Sequence, residues 1–245
     1  MRKSTFSKLL FCAVVSVVAL QSCKDDSHLM TPLPLPDQSF TEEFDTTSAA
    51  FARGWKIINA STPTAYTGSL LWQQGGDINP WFRAYSNSGS FQGFIGSSAE
   101  ITAALPAIPP PLIVSNWLVS PVLTIKNGDK IVFYTRTRFY TDGNDYGNRL
   151  QLRFSKAGES LNVGSGDDAG LFTEALIDIN PSYKSQIATA PDPLAYPSNW
   201  TRFEHTISGL NSPVSGRFGF RYYIEDALTN GWGIGLDQVQ FISKK

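Results

Sequence analysis

Two acidic residues lie where strand periodicity directs their side chains toward an apolar interior. Near the start of the folded region Glu42 has the same parity as Phe40 and Phe44, and near its end Asp237 has the same parity as Val239 and Phe241. Residues two positions apart in a strand point to the same side of a sheet. Because an unpaired carboxylate in an apolar layer costs several kcal/mol, each acid is predicted to have a partner, either a basic side chain or a metal ion.

The residues just before Asp237 allow a different arrangement. Ile234 and Leu236 have the opposite parity to Val239, so a β-bulge near Asp237 would reverse the direction of its side chain. Asp237 would then face water, and Glu42 would pair with an arginine. The sequence leaves both arrangements open.

The histidines and cysteines give little support for catalysis. His205 is the single histidine of the folded region and shares its strand face with Phe203 and Ile207, which is typical of a core or rim residue. No Gly-x-Ser-x-Gly elbow accompanies a serine, and the sequence lacks the ligands of a zinc site. We therefore predict that the protein is not an enzyme. A glycan-active hydrolase that uses two of the acidic residues is the alternative.

One segment has the composition of a polar, aromatic binding loop. It contains Trp72, Gln73, Trp81 and Tyr85, together with further amide and glycine residues. Aromatic rings beside hydrogen-bonding side chains are typical of ligand sites, so these four residues are predicted to bind a ligand. In the alternative interpretation, Trp72 and Trp81 begin strands and pack inward, as Trp200 is also expected to do.

The first residues of the chain resemble a bacterial lipoprotein signal. Basic residues precede a twelve-residue apolar run from Leu9 to Leu20, and Cys23 follows shortly after. A run of this length is too short to span a bilayer as a helix. Residues 1–22 are therefore predicted to be cleaved as a signal peptide, and Cys23 is predicted to be acylated.

The residues that follow Cys23 predict where the protein resides. Lys24 precedes two aspartates, which resembles the surface-export tag of lipoproteins from the Bacteroidetes lineage. Residues 23–38 are polar and then proline-rich, as in an extended tether. We expect an outer-membrane lipoprotein that is exposed at the cell surface and contacts the membrane only through its lipid.

Charge and cysteine content restrict the partners and the means of stabilisation. The formal net charge is −1, so there is no basic excess to bind phosphates, and nucleic acid is not expected as a partner. The two cysteines, Cys12 and Cys23, both precede the folded region, which therefore contains no disulfide. The fold must be stabilised by its hydrophobic core.

Period-two alternation of apolar and polar residues marks strands along residues 39–245. It is clear in 130–140, 150–154, 202–207 and 217–224, and asparagine, aspartate and glycine residues separate the runs. The 20 glycines and 15 prolines also favour strands joined by turns. The sequence therefore predicts an all-β fold, a single jelly-roll β-sandwich of two antiparallel sheets.

Short blocks spread over residues 40–245 resemble the choice-of-anchor J domain, a relative of the cleaved-adhesin domains of gingipain-type proteins. The blocks are FTEEFD at 40–45, GW at 54–55, SNWLVSP at 115–121, RLQLRFS at 149–155, NVG at 162–164, IDINP at 177–181, YPSNW at 196–200, SGRFGFRY at 215–222 and IGLDQV at 234–239. The resemblance implies a jelly-roll sandwich, display at the cell surface and, in many members, structural calcium. It also implies that the first and last strands are neighbours, so Glu42, Asp237 and Asp45 are the expected calcium ligands.

Together these observations predict a surface-displayed, lipid-anchored binding module of adhesin-like or carbohydrate-binding type, without catalytic activity. The expected partner is a glycan or a cell-surface protein. Besides the hydrolase, a structural accessory subunit of a cell-surface complex is an alternative function.

Overall fold

The computed structural model describes residues 35–63, 71–76, 82–99, 111–138, 145–187 and 190–245. The predicted signal peptide, Cys23, most of the tether and Trp81 lie outside these residues, so the predictions made for them stay predictions. Residues Asp37–Lys245 form one compact unit. Among the described residues, no helix has the length and apolar character needed to cross a membrane.

In the described residues the chain forms fourteen strands and one short helix. In chain order these elements are β1 Phe40–Glu42, α1 Thr47–Ala52, β2 Lys56–Asn59, β3 Gln73–Gln74, β4 Ile95–Ser98, β5 Val114–Val119, β6 Leu123–Ile125, β7 Lys130–Thr137, β8 Leu150–Ser155, β9 Glu174–Ile179, β10 Gln186–Ile187, β11 Ala190–Pro191, β12 Thr201–Thr206, β13 Val214–Ile224 and β14 Gly233–Ile242.

Two antiparallel sheets make up the architecture. In the first sheet the strand order is β12-β7-β14-β4-β3, and β1 pairs with the second half of β14. In the second sheet the order is β2-β5-β13-β8-β9, and β6 pairs with the start of β13. Strands β10 and β11 form a separate two-stranded ladder. The prediction of an all-β sandwich of two antiparallel sheets is confirmed.

The hydrophobic core lies between the two sheets and is rich in aromatic side chains. Trp55 makes edge contacts with Phe44 and Phe218, and Phe218 in turn contacts Phe220 and Phe241. All five side chains are almost fully buried. Because burying one such side chain stabilises a fold by about 1.5–3 kcal/mol, this aromatic group contributes much of the stability of the domain.

Strand β7 shows how the alternating sequence assigns each side chain to one face of the first sheet. Ile131 and Phe133 belong to the core between the sheets. Tyr134 and Arg136 have the opposite parity and point to the other side, which we call the outer face of the first sheet. The outer face therefore carries aromatic and cationic groups outside the sandwich core.

A β-bulge in β14 changes the direction of its side chains. The register with β7 shifts after Asp237, where Gln238 has a positive φ of 47°. Leu236 and Val239 both point into the core as a result, and Asp237 lies opposite Tyr134 on the outer face. The β-bulge that the sequence allowed is therefore present. The predicted inward direction of Asp237 is wrong, because the added residue reverses its parity relative to Val239.

Candidate functional site

Glu42 points to the core side of β1 and has a cationic partner. Its side chain is 3% exposed and accepts hydrogen bonds from Arg53, with Nε to Oε2 at 2.9 Å and Nη2 to Oε1 at 2.6 Å. Arg53 follows directly after helix α1, so this short helix sets the position of the guanidinium. This bidentate ion pair neutralises the buried charge of Glu42. Arg53 is thus the arginine partner that the second arrangement predicted.

Asp237 is fully buried beneath residues 82–90 on the outer face of the first sheet. Its Oδ2 accepts hydrogen bonds from the main-chain N–H groups of Tyr85 at 2.7 Å and Ser86 at 3.0 Å. Its Oδ1 accepts from the Ser86 hydroxyl at 3.0 Å and from the Gln238 N–H at 2.6 Å. Burial raises the pKa of the Asp237 carboxyl to about 6, although these donors act in the opposite direction. Asp237 therefore holds Tyr85 and Ser86 and does not face water.

Glu42 and Asp237 do not fit a shared calcium ion. Glu42 pairs with Val239 on the core side, whereas Asp237 pairs with Tyr134 on the outer face, so the two acids lie on opposite faces of the sheet. Arg53 already neutralises Glu42, and N–H and hydroxyl donors contact Asp237. Calcium requires oxygen atoms that are free to accept. The prediction that these two acids meet across one ion is therefore corrected.

Asp45, the third predicted calcium ligand, lies in a different setting. Its Oδ1 approaches Gly93 so closely that a Cβ atom added there would be 2.7 Å away. The carbonyl oxygens of Phe44 and Gln92 both accept hydrogen bonds from the side-chain amide of Gln74. Those two carbonyl oxygens therefore already have a donor, and the described residues hold no group of three or more acidic, histidine or cysteine side chains suited to a metal. Calcium at Asp45 stays a prediction.

The structure separates the four predicted ligand-binding residues. Trp72 is 1% exposed, and its Nε1–H donates to the carbonyl oxygen of Asn116 at 3.0 Å. Gln73 is half-buried in the two-residue strand β3, and Trp81 lies outside the described residues. Tyr85, by contrast, is exposed at the surface. The prediction that Trp72 binds a ligand is wrong, because its large ring is packed in the core as the alternative interpretation expected.

Tyr85 is part of an aromatic platform, which we define as Tyr85, Tyr134 and Trp200. The rings of Tyr85 and Tyr134 are stacked, with centroids 3.8 Å apart and planes inclined by 17°. Trp200 lies at an angle to Tyr85, with ring centroids 6.4 Å apart. Tyr85 is 38% exposed, and Trp200 is half-buried, which corrects the expectation that Trp200 is a core residue. The platform places aromatic surface on the outer face, where a ligand can reach it.

Packing beneath the platform fixes the position of Trp200. Its Nε1–H donates to the carbonyl oxygen of Arg83 at 2.8 Å, and its ring makes edge contacts with Phe82 at 5.4 Å and Phe94 at 5.8 Å. Phe82 lies over Gly235 of β14, where an added Cβ atom would be 2.7 Å from the Phe82 ring. The glycine therefore allows Phe82 to pack closely against the outer face.

Charged side chains continue the platform along strand β12. The outer face also carries every second residue of this segment, namely Trp200, Arg202 and Glu204. Arg202 lies opposite Tyr134 on β7. Glu204 accepts hydrogen bonds from Lys130 at 2.6 Å and from Arg202 at 2.5 Å, and these bonds lower the pKa of its carboxyl. Aromatic rings beside cationic and anionic groups form a surface suited to a polar ligand that also has apolar faces.

Sequence reasoning found Tyr85 but missed Tyr134, Trp200 and Arg202 as neighbours in one site. A signal was present, because Tyr134 and Arg202 have the parity opposite to the core residues of their strands. The sequence carries no local sign that residues 82–90 fold onto this face and bring Tyr85 to Tyr134. The site therefore depends on tertiary contacts.

Comparison with solved structures supports the adhesin-like fold. The chain is similar to the K3 cleaved adhesin domain of Lys-gingipain from Porphyromonas gingivalis, with 17% identity, a TM-score of 0.51 and coverage of 85% of this chain and 100% of the other. The K1 cleaved adhesin domain of Lys-gingipain is similar at 17% identity, with a TM-score of 0.50 and coverage of 84% and 99%. At this identity the similarity shows the fold alone. No known protein family and no curated protein sequence matches the chain.

Proposed function

We propose that this protein is an adhesin-like, carbohydrate-binding module that holds a glycan against the aromatic platform. The observation that carries the proposal is the stack of the exposed Tyr85 on the half-buried Tyr134, beside Trp200. A sugar ring has an apolar face that packs on aromatic side chains, and its hydroxyl groups hydrogen-bond to polar neighbours. Arg202 and Glu204 supply such neighbours on the same face. A tyrosine or tryptophan in this position gives a large contact area at a small cost in conformational entropy.

The proposed role is binding without turnover. Glycoside hydrolysis needs a carboxyl group that is positioned to donate or accept a proton at the scissile bond. Near the platform, Asp237 is buried and holds main-chain N–H groups, while Glu204 is bridged by Lys130 and Arg202. We therefore expect a bound oligosaccharide to be recovered unchanged after long incubation, and chromatography of the ligand checks this. Shorter products, lost in Glu204→Gln, would indicate the hydrolase instead.

Alanine substitution in the platform tests the binding proposal. Tyr85→Ala and Trp200→Ala are each expected to weaken binding of a glycan identified on an array by about 30-fold, since a central aromatic side chain contributes about 2 kcal/mol to such contacts. Isothermal titration calorimetry with that glycan measures the effect. The matched control is Tyr146→Ala, because Tyr146 is also an exposed tyrosine, 42% accessible, but stacks on Trp232. Unchanged affinity in both platform variants, or an equal loss in the control, would contradict the proposal.

Attachment of the module to the outer membrane is a second part of the proposal. The basic leader, the short apolar run and Cys23 support a lipidated N-terminus, and Lys24 with two aspartates supports display at the surface. Labelling with a palmitate analogue in the native host, followed by protease treatment of whole cells, tests both features. We expect Cys23→Ser to lose the label and to detach the protein from the membrane. Label retained in the variant would place the lipid elsewhere.

Structural calcium near Asp45 is the third part of the proposal. The Asp45 carboxylate would be the side-chain ligand of the ion, which would supply positive charge beside residue 93. Calcium is then expected to raise the melting temperature of the wild-type protein and to leave that of Asp45→Asn unchanged. Magnesium serves as the control ion. Equal stabilisation of both proteins by calcium would remove Asp45 from the site.

A further inference from the structure

Cationic groups outnumber anionic groups around the aromatic platform, although the chain as a whole has a formal net charge of −1. Arg202 and Lys130 lie on the outer face of the first sheet and share one anionic partner, Glu204. Arg83 lies on the other side of the platform, where its main-chain carbonyl oxygen accepts from the Trp200 indole. Lys130 and Arg202 both contact Glu204, and Arg83 adds a third exposed or partly exposed cation. Even with the buried Asp237 counted beside Glu204, three such cations exceed two carboxylates, which leaves a local positive excess.

The cations lie within reach of a ligand on the platform. Arg202 is directly opposite Tyr134 in the β12–β7 pairing and follows Trp200 by two residues. Residues at this spacing on one strand face are about 6.6 Å apart, so a ring packed on Trp200 or the tyrosines has its substituents near the guanidinium. The exposed Arg83 guanidinium lies over Phe91, 4.4 Å from the ring centroid, and its Nη1 donates to the carbonyl oxygen of Gly89 at 2.6 Å, so both contacts hold the side chain in position.

Two consequences follow for the ligand. The guanidinium groups are fixed at the rim by a ring and by a carboxylate, so they are pre-organised donors for a planar or tetrahedral anion. A neutral sugar would use the platform but leave the positive excess without a counter-charge. An acidic sugar would use both features.

We propose that the platform selects anionic polysaccharides, in which sugar rings pack on Tyr85, Tyr134 and Trp200 while carboxylate or sulfate groups bind Arg202 and Arg83. This inference rests on the proposed glycan-binding function and adds the chemical class of the ligand. Association is steered by the same cations, so it weakens as salt screens them.

Two matched pairs of polysaccharides test the selection, because the members of each pair differ in charge and share a backbone. Polygalacturonate is compared with its fully methyl-esterified form, and dextran sulfate is compared with dextran. Affinity electrophoresis and calorimetry with the purified domain measure binding at low and at high salt. We expect a preference of about tenfold or more for the charged member of at least one pair, and the pair that shows it distinguishes carboxylate from sulfate recognition.

Charge-removing variants connect the preference to named residues. Arg202→Gln and Arg83→Gln are each expected to lower several-fold the ratio of affinities for the charged polysaccharide and its neutral counterpart. Arg202 also contacts sugar hydroxyl groups in the proposed function, so its variant is judged by this ratio and not by neutral binding alone. Lys56→Gln, an exposed residue of β2 in the second sheet, removes the same charge elsewhere and should change neither. Thermal melts confirm that each variant is folded.

The outcomes separate this inference from the proposed function. Equal affinity for charged and neutral members of both pairs would overturn the selection and leave the binding module intact. The same holds if Lys56→Gln lowers the preference as much as Arg202→Gln does, since bulk charge would then explain it. Absence of binding to any of the four polysaccharides and to a glycan array would overturn the proposed function itself, and the inference with it.

Discussion

Asp237 is expected to make the stability of the domain fall as pH rises from acidic toward neutral values. Burial raises the pKa of its carboxyl from 3.8 to about 6. In the unfolded chain the group titrates near its ordinary value, so between about pH 4 and 6 the folded protein holds more protons than the unfolded chain. The contribution of Asp237 is therefore fully present below about pH 4 and is lost as the pH passes through about 6.

The magnitude follows from the size of the pKa change. A difference of about two pKa units corresponds to about 3 kcal/mol at about 1.36 kcal/mol per unit. Domains of this kind have total stabilities of about 5–15 kcal/mol, so the effect is a sizeable fraction of the whole. The direction is also informative, because carboxylates in ion pairs, such as Glu204 with its lowered pKa, contribute stability that is lost as pH falls.

Urea unfolding at several values between about pH 4 and pH 7, followed by tryptophan fluorescence, measures the effect. The variant Asp237→Asn keeps the shape of the side chain and cannot ionise, so the wild-type minus variant difference isolates this one group. We expect that difference to fall by about 3 kcal/mol across the range. A difference that rises with pH would refute the reasoning, because the N–H donors from Tyr85 and Ser86 would then outweigh burial.

Three further perturbations test the structure. Arg53→Met is expected to lower the free energy of unfolding by about 1–3 kcal/mol, because it leaves the buried Glu42 charge unpaired. Adding Glu42→Gln should recover part of this loss. Chemical denaturation measures both variants, and no recovery in the double variant would contradict the pairing. Gly235→Ala should displace Phe82, lower the free energy of unfolding by about 1–3 kcal/mol and weaken glycan binding. Gly89→Ala is the control: its Cβ would meet only Asn87 at 3.8 Å, so neither the stability nor the glycan affinity should change. Trp72→Phe should lower the melting temperature by removing a buried hydrogen bond and leave the glycan Kd unchanged; a tenfold change in Kd would return Trp72 to the ligand site.

Local periodicity was sufficient to predict the two-sheet sandwich and the faces of most strands. In β7 the alternation of Ile131 and Phe133 with Tyr134 and Arg136 depends only on the pleat of a strand, which sequence spacing reports directly. The same spacing predicted that Glu42 is buried. Because an unpaired buried charge is costly, a partner was also expected, and Arg53 is that partner.

The errors share a physical cause, which is dependence on contacts far apart in the sequence. Asp237 was assigned to the wrong face because a bulge shifts the parity by one, and the conflict with Leu236 was the only sign of it. Trp200 was expected in the core because large aromatic residues are usually buried. It is half-buried because residues 82–90 cover one part of its ring and leave another part accessible.

The bulge in β14 joins the stability of the sandwich to the position of the ligand platform. With regular pairing Asp237 and Val239 would share a face, so keeping Val239 in the core would turn Asp237 inward and deprive the N–H groups of Tyr85 and Ser86 of their acceptor. A buried N–H group without an acceptor costs about 1–3 kcal/mol, so residues 82–90 would no longer be held on the sheet. The stack of Tyr85 on Tyr134 would then be lost as well. One added residue at Gln238 therefore lets Val239 lie in the core while Asp237 lies on the outer face, where it positions the binding surface.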